Sequence, residues 1–478
     1  MTDNLLTAFS ALIESEMDYY HIPGMAAVVI ADGEIVYTQG FGVRDLESGA
    51  PFTTTTRFRI GSTTKSMTSL LVAQLVDEGL LDWDTPVTAI LPDFATVDPA
   101  LTAQITVRDL MGMATGLESD VLPSFDWGAW SVSDLLAAVA VESQAGEFRQ
   151  YYAYNNEVYA LAGYAAVAAA GQEPSLSAYT ALLQERLFAP VGMTSTLVTD
   201  DTSQLGDNFA YPYDIPLTDD TLTPVRTINP AIGVVAPSGG IWSTVEDMGR
   251  YLITQMNGGV TPDGGRIVSA ESLAETWKPG VPLPDDVPLP IADMAYGMGW
   301  VTLNYQGIPV RYHDGGWTGY YTQMVVFPDA NVGLILFANS TVGALSNESL
   351  VYGFGELLYG LEPQAAEVIR SLYNSSLVQL GMVRTMIPAT TLDAETDARL
   401  MGDYEGGWQV AWHADGTLWL VYGDWTFQIV PFPIGGENAY LVINNGAAGT
   451  LVTFDVENDP VALVIQLPDG EIRLDKLP

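Results

Sequence analysis

Between residues 25 and 359 the strand-like runs fall at the two ends and the helix-like runs fill the middle. This order constrains the fold more than any other feature of the chain. The runs 25–30 and 34–39 are apolar and β-branched and flank the turn signal Ala31-Asp32-Gly33, which reads as a hairpin. Strands return at 309–313, 320–327 and 332–339, with Pro328-Asp329-Ala330-Asn331 as the turn between the last two. Helical patterns occupy 106–113, 132–141, 157–170, 177–187, 245–256 and 270–277, while 3–17 opens and 345–359 closes the region. The pattern predicts an α/β (α+β) fold: one antiparallel sheet built from both chain ends, flanked by helices, beside a helical subdomain. Residues 202–229, rich in proline and aspartate, read as a surface excursion near a cleft, and 281–290 as a loop.

Beyond about residue 387 the pattern changes. Short strands are expected at 408–413, 418–422, 426–430, 439–443, 451–455 and 461–466, with Asp415-Gly416 and Asp469-Gly470 as turn signals. Even spacing of this kind indicates a small all-β barrel or sandwich, and a barrel is the expectation taken. The expected division is 1–375, a linker at 376–398, and a β region at 399–478.

Charge and composition exclude several functions. A net charge of −41 argues against nucleic acid and anionic membranes as partners. With no cysteine there is no disulfide and no thiolate metal site. His21, His313 and His413 are scattered and no Gly-x-x-x-x-Gly-Lys loop occurs, so neither a metal nor a cofactor is expected. No stretch approaches the roughly 18 apolar residues of a membrane span. The first 13 residues lack a signal peptide's basic and apolar segments, which leaves a soluble chain, cytoplasmic or exported with its leader outside this sequence.

Three short motifs carry chemistry. In Gly61-Ser62-Thr63-Thr64-Lys65, Ser62 and Lys65 lie one helical turn apart, and Met67, Leu71, Val72, Leu75 and Val76 form the apolar stripe of the helix behind them. A serine becomes a nucleophile when a neighbouring base takes its proton, and a lysine serves as that base when burial lowers its pKa. Only three lysines occur in the chain, and one of them is here. Read alone, the motif is an ordinary helix cap. Tyr154-Asn155-Asn156 offers a phenol to relay a proton and an amide to orient a carbonyl; read alone, it is a packing aromatic before a helix start. His313-Asp314-Gly315-Gly316 ends an expected strand. Glycines there admit a substrate backbone, and His313 offers a donor, charged when protonated.

In this order and at these intervals, Ser62-x-x-Lys65, Tyr154-x-Asn156 and His313-x-Gly315 resemble the penicillin-recognising serine hydrolases. They are closest to the class C β-lactamase-like group with its D,D-peptidases, D-aminopeptidases and esterases. Pro237-Ser238-Gly239-Gly240 and the helix after it fit the resemblance, as does 187–193, over roughly residues 5–362. It implies Ser62 as the acylated nucleophile, Lys65 as its base or proton relay, Tyr154 as proton donor and activator of water, and Asn156 as the holder of the substrate amide. The backbone N–H groups of Ser62 and Gly316 would form the oxyanion hole. His313 stands where many relatives have lysine, which favours peptidase or esterase activity over β-lactam hydrolysis. The implied substrate is a small molecule or short peptide, first an amide containing a D-amino acid, then a small ester. A β-lactamase and a penicillin sensor that acylates without turnover are the alternatives. The C-terminal β region resembles lipocalin-like domains appended to such hydrolases, which cover the cleft or make an oligomer contact. Its Trp408, Trp412, Trp419 and Trp425 equally suit a barrel interior.

Overall fold

The computed structural model of the chain describes residues 1–118, 127–218, 221–284, 288–387, 398–413, 416–432, 438–445, 447–457, 460–467 and 470–478. The expected turns at 415–416 and 469–470, part of the 281–290 loop, and residues 388–397 of the expected linker lie wholly or partly outside the described residues.

Helix α1 (Asp3–Tyr20) starts on Thr2, whose hydroxyl accepts from Leu5 N, and ends at His21 in the left-handed region. Strands β1 (Gly24–Ala31) and β2 (Glu34–Asp45) form the expected hairpin, and β3 (Ala50–Pro51) adds an edge. Helices α2 (Thr64–Asp77), α3 (Asn156–Ala169) and α4 (Val245–Met256) follow. The chain then returns through β4 (Val281–Pro282), β5 (Ile291–Tyr296), β6 (Val301–Tyr305), β7 (Ile308–Trp317), β8 (Tyr320–Phe327) and β9 (Val332–Ala338). Helices α5 (Gly343–Tyr359) and α6 (Ala365–Met386) close the region.

These strands make one antiparallel sheet in the order β3-β2-β1-β9-β8-β7-β6-β5-β4, with β1 from one chain end paired to β9 from the other, Val28 opposite Ile335. Every residue of β1 is buried. Met25, Ala27, Val29 and Ala31 pack with Phe9 and Ile13 of α1 and Leu350 and Phe354 of α5. Ala26, Val28 and Ile30 pack on the other face with α2, α3 and α4. The period-2 alternation of a strand thus serves two helical layers at once.

β5 and β6 have no counterpart among the expected strands. Asp293 in β5 has φ 56°, and the register against β6 shifts between Ala292 and Ala295, so the bulge hides the alternation. Nor does any expected helix correspond to α6, which buries only Ala365, Ile369 and Tyr373 and runs through the first part of the stretch expected as a linker. The 202–229 excursion is docked rather than free: Tyr213–Asp214 pairs with Val225–Arg226, and Leu217 N donates to the carbonyl of Ile443.

The C-terminal strands are β10 (Gly402–Asp403), β11 (Gln409–Trp412), β12 (Leu418–Tyr422), β13 (Trp425–Pro431), β14 (Ala439–Val442), β15 (Leu451–Asp455), β16 (Ala462–Leu467) and β17 (Gly470–Asp475). They pair in sequence order as a curled antiparallel half-barrel around Trp408, Leu420, Phe427 and Phe454, and Tyr404 bridges to Lys476. Among the described residues no helix is long and apolar enough to cross a membrane.

Candidate active site

The turn Gly61–Thr63 leads into α2 and holds Ser62 at the edge of a cavity of about 500 Å³. Thr63 Oγ1 donates to the Ile60 carbonyl, and Ile60 N donates to Ile241 O, so the turn is tied at both ends. Gly61 has φ 52°, and a Cβ there would lie 2.8 Å from Gly315 C and Gly316 N. A Cβ on Gly315 would lie 2.0 Å from the Ile60 carbonyl oxygen. Glycine on both sides is what lets β7 lie directly against the serine turn. β7 does not end at His313, as expected, but runs on through both glycines between β6 and β8.

Lys65, on the first turn of α2, is fully buried. Its Nζ lies 2.9 Å from Ser62 Oγ, 2.7 Å from Asn156 Oδ1 and 2.9 Å from the Ser238 carbonyl oxygen. Burial holds its pKa well below the ordinary lysine value, against the opposing pull of Asp314 and Glu157. Tyr154 OH donates to Ser62 Oγ at 2.6 Å. Burial of that hydroxyl, with the charge of Asp314, raises the Tyr154 pKa well above that of free tyrosine, so it is a neutral phenol. Asn155 caps α3 by accepting from Val158 N, and its amide donates to Glu142, which fixes Tyr154 before the helix and Asn156 in its first turn. The structure therefore links Tyr154, Ser62, Lys65 and Asn156 in that order by hydrogen bonds, with Gly315 and Gly316 beside the Ser62 turn.

His313 is placed differently from the expectation. It is 1% exposed and lies outside the cavity lining. Its Nδ1 is 2.6 Å from the Asp314 carbonyl oxygen, which can only accept, so Nδ1 carries the proton. Nε2 then accepts from Tyr296 OH at 2.8 Å. Burial brings the imidazole down to about 4 against the opposing pull of the Asp314 carboxylate, so it is neutral at pH 7. A charged histidine facing substrate is thus replaced by a neutral one buried against Tyr296.

Several site residues escaped the sequence reading. Ser238 accepts from Lys65 through its carbonyl and donates its hydroxyl to Asn156 O at 2.6 Å. Its signal was the Pro-Ser-Gly-Gly run. Asp314, between two motif residues, lines the cavity, as do Trp127, Tyr152 and Trp317. Trp425 of β13 lines it too, with its ring 6.1 Å from that of Trp317. Nothing local in the sequence marks Trp425, because its role arises from how the half-barrel docks.

The chain as a whole is similar to known proteins. The family described as Beta-lactamase matches residues 9–351. An unguisins hydrolase of Aspergillus campestris is 25% identical over 445 residues, covering 88% of this chain and 80% of that protein. Penicillin-binding protein 4 of Amycolatopsis lactamdurans is 28% identical over 341 residues, covering 68% of this chain and 82% of that protein. The octameric penicillin-binding protein homologue from Pyrococcus abyssi shares the fold over 99% of this chain and 100% of its own, with a TM-score of 0.64 at 21% identity.

Proposed function

The chain belongs to the beta-lactamase family, and from that premise we propose that this serine hydrolase works through an acyl-enzyme on Ser62. The observation that carries the reading is Ser62 Oγ set between Lys65 Nζ at 2.9 Å and Tyr154 OH at 2.6 Å. Two of the three oxygen neighbours of Lys65, Asn156 Oδ1 and Ser238 O, only accept. A neutral amine gives its two N–H bonds to these and keeps its lone pair for the Ser62 proton. Oγ then attacks the substrate carbonyl carbon, and the proton passes to Lys65. The oxyanion is held by the backbone N–H groups of Ser62 and Gly316. As the carbon–nitrogen or carbon–oxygen bond breaks, the Tyr154 phenol protonates the leaving group, and the proton on Lys65 restores the phenol. Water activated by the same pair then cleaves the ester to Ser62 and regenerates the hydroxyl.

The substrates in this reading are small amides and peptides containing D-amino acids, or small esters. Relatives named as an unguisins hydrolase and a penicillin-binding protein support a hydrolase reading. The class C character of the catalytic region, the division at 376–398, and the lipocalin-like character of the half-barrel belong to the same reading. So does assembly through the half-barrel, in keeping with the octameric relative.

The test is hydrolysis of p-nitrophenyl acetate and of D- and L-aminoacyl p-nitroanilides by the wild type and Ser62→Ala. Loss of a nucleophile costs on the order of 10³-fold or more in kcat. Equal rates in the two proteins overturn the mechanism, and stoichiometric acylation without turnover assigns a sensor instead.

A further inference from the structure

Resting on Ser62 as the nucleophile, we infer that the cavity selects substrates with an ammonium group close to the bond attacked and turns away those with a carboxylate there, Asp314 being the selecting charge. Of the described residues lining the cavity, Asp314 alone carries a charge. Its side chain is 45% exposed, and it lines both this cavity and a second one that Tyr321 and Glu348 also line. Oδ2 accepts from Tyr321 OH at 3.3 Å. Oδ1 has no hydrogen-bond donor among the described residues: His313 Nδ1 is 3.9 Å away, and its proton goes to the backbone.

The cations that could answer a substrate carboxylate are withdrawn. Lys65 is buried and held by Ser62, Asn156 and Ser238. Arg59 is 1% exposed, paired with Asp200 at 2.8 Å, and lies behind Trp317 with its guanidinium carbon 5.8 Å from that ring. His313 is neutral and outside the lining. The remaining wall suits a cation. Trp127, Trp317 and Trp425 stand in a row, with centroids 6.3 Å and 6.1 Å apart, and aromatic faces attract an ammonium group. A carboxylate would meet Asp314 with like charge and gain no counter-ion, a repulsive element of the kind that sets specificity.

The experiment compares three p-nitroanilides of one amino acid at pH 7: the free amine, its N-acetyl form and its N-succinyl form. The free α-amino group, with a pKa of about 8, is largely charged there. For the wild type, kcat/KM is expected to fall in the order free amine, acetyl, succinyl. In Asp314→Asn the ratio of free-amine to acetyl rates should drop about tenfold or more, mainly through KM, a loss of about 1.4 kcal/mol of selection. Asp314→Lys should place the succinyl form above the free amine. Raising salt toward 1 M on the wild type should shrink the free-amine preference, a readout independent of any variant's folding. An unchanged ratio in Asp314→Asn, with fluorophosphonate still labelling Ser62 one to one, overturns the selection and leaves the mechanism standing. A Ser62→Ala protein as fast as the wild type overturns the mechanism beneath it.

Discussion

Individual residues here are defined by what burial does to their charge. His313 is the clearest case, because its imidazole is enclosed by Tyr296, the Asp314 backbone and the Lys65 side of the strand, with the Asp314 carboxylate the opposing influence. Its folded pKa of about 4 lies below the ordinary 6.5. The unfolded chain therefore takes up this proton first as pH falls. The stability it contributes is complete above pH 6.5 and is lost as pH falls to about 4, a swing of about 3 kcal/mol from this group. Urea midpoints measured at pH 7.5 and 4.5 should fall further for the wild type than for His313→Gln, which has no such proton to bind. Parallel falls would show that the imidazole is not the titrating group. The identity of the motif residues was legible because residue type and order suffice for it. Neutral His313 was not, since its charge depends on a tyrosine from another strand and on how deeply the strand is packed.

At the level of elements, the site is a meeting of the Ser62 turn with β7, and glycines set how close they come. Gly315 sits where a Cβ would overlap the Ile60 carbonyl at 2.0 Å and approach Ser62 N and Thr63 N at 3.0 Å. Backbone cannot yield there as a flexible side chain would, so Gly315→Ala must push the strand from the turn. Overpacking of this kind costs about 1–3 kcal/mol. Thermal unfolding should register that loss. Because the displacement falls on the serine turn, ester hydrolysis should fall by a larger factor than the change in folded population explains. Activity kept at wild-type level would mean that the strand does not position Ser62. The main elements of the sheet and its helical layers were readable from periodicity: β1 and β9 are continuous apolar runs buried on both faces, whereas α2, expected to bury one stripe, is buried all round with Thr68 and Ser69 included. β5 was hidden by its bulge. The alternation of β6, with Val301, Leu303 and Tyr305 buried, was present but unread beside it. α6 has too little buried surface to mark its length.

Across the whole molecule, the half-barrel is tied to the catalytic region through the 202–229 segment. Thr227 Oγ1 bonds Asn445 Oδ1 at 2.7 Å, Leu217 N donates to Ile443 O, and Arg384 donates to the Leu217 carbonyl. The segment acts as a strap between two bodies, which its proline and aspartate content alone did not reveal. Through that docking Trp425 enters the wall of the Ser62 cavity, while Trp408 stays in the half-barrel core at 5% exposure. One half-barrel thus supplies both a filler tryptophan and a wall tryptophan. Substrate size should therefore depend on a residue remote in sequence from every catalytic motif. Trp425→Ala opens the wall beside Trp317 and removes aromatic contact area, and such rings contribute about 0.5–1.5 kcal/mol beyond their burial. The ratio of kcat/KM for a bulky aminoacyl anilide to that for p-nitrophenyl acetate should change by about threefold to tenfold, through KM for the bulky substrate. A ratio that stays at the wild-type value would detach the half-barrel from substrate selection and leave it a stabilising appendage.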